Sequence, residues 1–459
     1  MDFKNLHFPN APKIRTMPPG PKAKKILAAQ ASTEGNAVYY PKILPFVPDE
    51  GRGATIKDID GNVFIDFYAG VSVLNFGHSN PEILKSATEQ LKKLSHSLDF
   101  PTVARTELVK RLIARAPGNL KDDSKVVFGG PTGSDAVESA IKLAKFRTKR
   151  LSVIAFEGSY HGQTTMALAA TAEKKYRENY APLGPEVHFA PYPNTYRNAF
   201  KEEDPKRCTR MCADYLENMV EGGESGVLPP AAVIAEPIQG EGGIIVPPND
   251  FLKEVERICR KNGVMFIVDE IQSGFGRTGK WFASDYFGID PDVVTMAKSI
   301  GGIGLPLSGI MYRKDLDTWH PGAHLGTFRG DAVAMAAGAA AIDFADKNKL
   351  LEHVNKLGET TMKFLKDLAQ ESKSIGDVRG KGLFIGVEFV KDKKTKARWK
   401  EICDRIQLES FKKGVIIWRA GAYGNIIRIM PPLTITDELL NKGLEIFAEE
   451  VKAAEKSLF

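Results

Sequence analysis

The chain has 459 residues, 43% of them hydrophobic and 26% charged, with 63 Lys and Arg against 57 Asp and Glu for a net charge of +6. That length exceeds one small core and fits a large domain plus a smaller one, with the composition of an ordinary globular protein. The weak positive charge is dispersed, with no aromatic-plus-basic stripe; this argues against nucleic-acid binding and suits anionic small molecules. No apolar run reaches membrane-spanning length and the N-terminus has no apolar signal core, so a cytoplasmic protein is expected.

The first 50 residues are rich in proline and read as an extended arm with one short helix, "PKAKKILAAQASTEG", packing on another surface. "ATIKDIDGNVFIDF" (Ala54 to Phe67) alternates around Asp60-Gly61 and predicts a hairpin. Apolar residues at helical spacing predict helices over Pro81–Ser95, Thr102–Ala116 and Asp135–Arg147. Short apolar runs follow: "KVVFGG", "LSVIAFEG", "VHFAPYP", "AAVIAEP", "VMFIVDE", "DVVTMAK" and "LSGIMYR". They lack alternation, as strands buried on both faces do. Strands interleaved with helices predict an α/β fold, a mostly parallel seven-stranded sheet with helices on both faces. After Gly330 come an Ala-rich helix, a second helix, the segments "GDVRGKGLFIGVEFV" and "GVIIWRAGAYGNIIRIMPP", and a terminal helix, together a smaller α+β unit. The expected division is 1–79 (arm and part of the small domain), 80–330 (large domain) and 331–459 (C-terminal small domain).

Ligands of parallel sheets bind beyond the carboxyl ends of the strands, so the polar residues that finish these runs are the candidates. "VFGGPTGSDAVESAIK" opens a helix with small residues whose free N–H groups and dipole suit a phosphate, although Gly-Ser-Asp also caps many helices with nothing bound. "VMFIVDEIQSGFGRTG" ends in Asp269 and Glu270, carboxylates at a depth that needs a cationic partner. "AAVIAEPIQGEGG" supplies Glu236 and, in the loop beyond, Glu241. "IAFEGSYHGQTT" supplies Tyr160 and His161; the tyrosine could serve the core or lie flat on an aromatic ligand. Lys298 closes "DVVTMAK", and a desolvated lysine becomes an amine nucleophile. An anion cradle, a buried acid, a flat aromatic and an amine on one rim are what pyridoxal phosphate requires. Cys208 and Cys212 lack a second Cys/His pair and the eight histidines are scattered, so no metal site is expected.

From "DIDGNVFIDFYAGVSVLNFGHSNP" to "IIRIMPPL" the sequence resembles the class III (ω-) aminotransferases, fold-type-I pyridoxal-phosphate enzymes. The most specific stretch is "VDEIQSGFGRTGKWFASDYFGIDPDVVTMAKS". The resemblance implies that Lys298 is the Schiff-base lysine and Asp269 the partner of the pyridine nitrogen, that Gln272 meets the ring hydroxyl, and that Gly133 and Ser134 cradle the phosphate. It implies that Tyr160 stacks on the ring with His161 behind it. It further implies that Thr327 of "HLGTFRG" reaches the phosphate in a neighbouring subunit, making a homodimer or a dimer of dimers. Glu241 and Arg428 match a switch pair of the 4-aminobutyrate branch, in which the arginine takes the α-carboxylate of 2-oxoglutarate or glutamate, and Val71 matches a position beside the substrate.

The implied activity is transfer of an amino group from an ω-amino acid or amine to a 2-oxo acid, through a pyridoxamine phosphate intermediate. One departure stands out: where the 4-aminobutyrate enzymes carry an arginine after "YHG", this chain has Gln163, a poor substitute for a bidentate guanidinium. The cradle "GPTGSDAVES" looks more like the diaminobutyrate and amino-acid racemase branches. "APYPNTYR" and "EPIQGEGGIIVPP" also resemble racemase segments, so racemisation on the same scaffold is the alternative.

Overall fold

The seven short apolar runs form one central sheet in a computed structural model that describes residues 3–458. Its strands are β1 (Ser124–Phe128), β2 (Ser152–Phe156), β3 (Val187–Ala190), β4 (Pro230–Ala235), β5 (Met265–Asp269), β6 (Val293–Met296) and β7 (Gly309–Arg313). Their spatial order is β1-β7-β6-β5-β4-β2-β3. Every residue of β2, β4, β5 and β6 is buried, which explains why these runs carry no alternation.

From β6 to β3 all pairings are parallel, whereas β7 runs antiparallel to both β6 and β1. The segment between β6 and β7 holds only a short 3-10 turn, Lys298–Gly301, and no crossover helix, so the chain turns straight back. One consequence is that β1 points the same way as the parallel block. The carboxyl ends of β1, β2, β4, β5 and β6 therefore share one edge of the sheet.

Helix α1 (Gly133–Thr148) covers one face, burying Ala136, Val137, Ala140, Ile141 and Ala144 against Val153, Ile234, Ile267 and Ile310. It starts two residues before the expected Asp135, because Thr132 and Asp135 form a reciprocal capping box. Helix Phe251–Lys261 covers the opposite face with Val255, Ile258 and Cys259 against Val233, Phe266 and Val268.

Two smaller sheets flank this layer. In one, Pro48–Arg52, Thr55–Asp58 and Val63–Asp66 are joined by Val415–Ile416, which pairs in parallel with Val63–Asp66 through Ile65↔Val415. The other is antiparallel, in the order Ile375–Lys381, Phe384–Asp392, Ile426–Ile429, Trp418–Ala420. The N-terminal arm lies on its own chain: Lys13 bridges to Val63, and Asn62 Oδ1 accepts from the Arg15 and Thr16 N–H groups at 2.7 and 2.9 Å. Among the described residues no helix is long and apolar enough to cross a membrane.

Candidate active site

The shared edge of the sheet opens into a cavity of about 370 Å³ lined by Gly133, Ser134, Tyr160, His161, Glu236, Glu241, Asp269, Gln272 and Lys298. On its floor Asp269, at the end of β5, is 3% exposed, and its Oδ2 accepts from His161 Nδ1 at 2.7 Å. Its Oδ1 accepts from the Ile271 N–H at 3.0 Å, so the carboxylate cannot rotate. With the proton on Nδ1, His161 Nε2 is buried with no hydrogen-bond partner. Glu236, beyond β4, accepts from the Tyr160 and Gly240 N–H groups at 2.9 and 2.8 Å, and burial pushes its pKa up to about 7.

Lys298 faces these carboxylates. Burial lowers its pKa to about 8, against the opposing pull of Glu241 and Asp269, so about a tenth of the amine is unprotonated at pH 7. Its backbone sits in the left-handed region, φ 54°, unusual for a side chain of this size. A second strained stretch adjoins it: Ala69, Gly70, Val71 and Ser72 have φ of 50°, 57°, 64° and 63°, a complete left-handed turn that includes a β-branched residue. Ser299 Oγ holds the two together, donating to the Ser72 carbonyl at 2.7 Å and accepting from the Asn75 N–H at 3.3 Å.

At the start of α1 the first N–H groups have no acceptor within the helix, and the dipole is positive there. The space beside them is narrow. A Cβ on Gly133 would stand 2.9 Å from the Ile271 side chain, and one on Gly162, at φ 129°, only 2.1 Å from Ser134 Oγ. Bare backbone is required on both sides of the helix entry.

Behind Glu241 of the cavity wall, Arg428, 1% exposed, donates from Nη1 to Glu241 Oε1 at 2.5 Å and from Nη2 to the Arg419 carbonyl at 2.9 Å. Gln272 Nε2 donates to the same Glu241 oxygen at 3.3 Å. Burial alone would raise the Glu241 pKa; Arg428 and Lys298 hold it below the usual carboxylate value. The guanidinium is correspondingly kept charged despite burial. Tyr160 packs edge-on to Tyr176, ring centres 5.4 Å apart, and Gln163 Nε2 reaches its hydroxyl at 3.4 Å from an exposed position.

Not every expected residue is on the wall. Val73 lines the cavity, while Val71 packs with Tyr68 on the apolar cluster around Phe156 and Phe251. Thr327 is exposed, away from the cavity of its own chain; its carbonyl accepts from His96 Nε2 at 2.7 Å, and its neighbours Leu325 and Phe328 are each 71% exposed.

Other contributors were not identified from the sequence. Arg277, fully buried, donates to the Leu383 and Pro431 carbonyls at 3.1 and 2.6 Å and to Asn75 Oδ1 at 2.6 Å, tying three distant segments behind the floor. It lies in "GFGRTG", within the stretch most like the class III aminotransferases. Glu173 and Tyr176, in "TAEKKY", carry no motif that marks a site; Glu173 is nonetheless only 5% exposed.

The chain matches the sequence model of the class-III aminotransferases over residues 37–451. It is 39% identical to the alanine/serine racemase of Pyrococcus horikoshii over 450 residues, covering 96% of this chain and 93% of that protein. It is likewise 39% identical to a diaminobutyrate–2-oxoglutarate aminotransferase of Rhizobium meliloti over 419 residues, 90% of this chain and 89% of that one. An (S)-enantioselective omega-transaminase from Thermomicrobium roseum superposes with a TM-score of 0.85 at 28% identity, covering 95% of this chain and 99% of the other. A site assembled on the strand ends of a seven-stranded sheet thus comes with agreement in sequence and in fold along nearly the whole chain, which belongs to the class-III aminotransferase family.

Proposed function

We propose that this protein is a pyridoxal-phosphate-dependent aminotransferase that moves an amino group from an ω-amino acid or amine to a 2-oxo acid such as 2-oxoglutarate. The donor's carbon becomes a carbonyl, and the acceptor's carbonyl becomes an amine. The observation that carries this reading is the buried Glu241–Arg428 pair standing over Lys298. A guanidinium at that depth needs an anion at every stage. When a 2-oxo acid enters, its carboxylate can take Arg428 and Glu241 turns away; when an amine without that carboxylate enters, Glu241 returns.

The residues fit pyridoxal phosphate. Small-residue backbone at Gly133 and Gly162 leaves room for a phosphate against the N–H groups of Gly133 and Ser134, and the Gln272 Oε1 and His161 Nε2 atoms are buried without protein partners. When bound, the coenzyme accepts the amino group and withdraws electrons from the substrate carbon. Asp269, locked by His161 and Ile271, would hold the ring nitrogen's proton; Tyr160 would cover the ring, and Gln272 would meet its hydroxyl. Glu236 fixes the backbone of Tyr160 and so the height of that cover. Lys298 would bind the aldehyde carbon and, once released, carry a proton on Nζ to and from the substrate carbon. Its lowered pKa suits both tasks.

We also read the exposed Leu325, Phe328, Phe100 and Val103 as part of a dimer face that would carry Thr327 to a neighbouring cavity. The four free, buried cysteines suit a reducing, cytoplasmic setting.

Racemisation is the second reading, favoured by the likeness to the Pyrococcus racemase. Purified holoenzyme given an amine donor and 2-oxoglutarate is expected to form glutamate. Absence of glutamate, with loss of optical activity of an amino acid and no oxo acid required, would overturn transfer in favour of racemisation.

A further inference from the structure

Next to Tyr160 of the cavity wall lies a charged pair to which the transfer reading gives no role. Glu173 is 5% exposed, and its Oε1 has no partner. Lys175 Nζ pairs with Oε2 at 2.6 Å from a side chain that is 50% exposed, so this partner can swing away into solvent. The segment carrying them runs alongside Tyr160: the Ala172 N–H donates to the Ser159 carbonyl at 2.9 Å, and the His161 N–H to Thr171 Oγ1 at 3.0 Å. Tyr176 then folds back onto Tyr160, with the Lys175 ammonium 4.6 Å over its ring. Glu173 is held above the ordinary carboxylate pKa first by burial, then by Glu241, with Lys175 and Arg428 opposing, so it shares one field with the switch pair.

Two further facts narrow what could bind there. The nearby guanidinium of Arg177 is spent on the Ala169 and Thr171 carbonyls at 2.6 and 2.7 Å, leaving Lys175 as the cation at this corner. Tyrosines surround the spot, and aromatic faces favour a cation. A buried carboxylate with unused acceptor sites is stabilised most by an ammonium that brings its own N–H donors.

We propose that Glu173 and Lys175 form a head-group subsite, with Glu173 taking the α-ammonium and Lys175 the α-carboxylate of a diamino acid whose other amine points to Lys298. This deepens the transfer reading and rests on it, since the end held by this pair must be the end that does not react. It also gives Gln163 a reason. A guanidinium at that position would compete with Lys175 for the carboxylate and repel the ammonium beside it.

The test uses yellow holoenzyme titrated with three donors, binding being read from the coenzyme's visible absorbance and transfer from glutamate formation with 2-oxoglutarate. 2,4-Diaminobutyrate carries both head-group charges, 4-aminobutyrate lacks the ammonium, and 1,3-diaminopropane lacks the carboxylate. The expected result is at least tenfold tighter binding of 2,4-diaminobutyrate than of either other donor. In Glu173→Gln the preference over 4-aminobutyrate should fall about tenfold, and in Lys175→Met the preference over 1,3-diaminopropane should fall similarly. Equal binding of the three donors by the unaltered enzyme overturns the subsite, as does a Glu173→Gln enzyme that weakens all three alike. The unaltered-enzyme comparison stands even if a variant fails to fold. Preference without glutamate formation upholds the subsite and defeats transfer; glutamate formation without preference does the reverse.

Discussion

On the floor of the cavity each acid is tied by directed hydrogen bonds. Asp269 is gripped by His161 and the Ile271 N–H, and Glu236 by two backbone N–H groups; both follow directly from buried strands. Beside Tyr160 the pattern reverses. Glu173 sits on a loop, is equally buried, and is held by one half-exposed lysine, with Oε1 left without a partner. The contrast separates two tasks: groups that must not move are mounted on the sheet, and groups that must suit a particular substrate are mounted on loops and left with unused capacity. The Glu241–Arg428 pair lies between these extremes, hydrogen-bonded like the floor but able to exchange partners like the loop pair.

If that division is right, floor variants should lose turnover and loop variants should lose affinity. The largest effect is expected at Lys298→Ala: a fall in kcat of about a thousandfold or more, with no borohydride-trapped coenzyme on the peptide containing position 298. An adduct on any other lysine breaks the comparison at its root. Asp269→Asn should lower kcat by roughly 10²- to 10³-fold with KM little changed, measured by steady-state kinetics. Arg428→Ala removes the guanidinium that would take the oxo acid's carboxylate, a loss of about 2–5 kcal/mol for a buried charged partner, so KM for 2-oxoglutarate should rise about a hundredfold while KM for a simple amine moves far less.

A smaller effect concerns pH. Only the unprotonated Lys298 amine can attack an aldehyde, and its pKa is lowered to about 8. Stopped-flow capture of coenzyme by the coenzyme-free protein should therefore speed up about tenfold per pH unit below 8 and level off above it. Continued acceleration up to pH 10 would mean that the amine is not desolvated. The smallest change is expected for Gln163→Ala, whose exposed side chain reaches the Tyr160 hydroxyl at 3.4 Å. KM for the donor should shift by about threefold or less, the worth of one weak hydrogen bond.

The strand ends of the floor are legible in the sequence because an apolar run long enough to span the sheet stops at a polar residue, as at Asp269 and just before Lys298. The hairpin at Asp60-Gly61 and all seven strand runs were legible for the same local reasons. The antiparallel return of β7 was not, since apolar content carries no direction. The left-handed turn at Ala69–Ser72 was hidden because only Gly70 there lacks the Cβ that resists it, and tertiary contacts, Ser299 among them, impose the rest. Glu173 escaped because burial of a charge is decided by what folds over it, and its covering tyrosine depends on pairing between Ala172 and Ser159. Val73 in place of Val71 on the cavity wall is a matter of that same turn, which rotates one valine inward and the next-but-one outward.

The edge pairing of Val63–Asp66 with Val415–Ile416 bears on how the molecule is made. Ile65 leaves the ribosome about 350 residues before Val415, the partner that completes its sheet, so this early strand must wait through most of synthesis with one edge unsatisfied. The central sheet can close sooner, because its last strand, β7, ends at Arg313. A chain stalled or cut before residue 415 would keep its catalytic floor in sequence while presenting an open strand to any similar edge nearby, and should be recognised by chaperones and prone to aggregate.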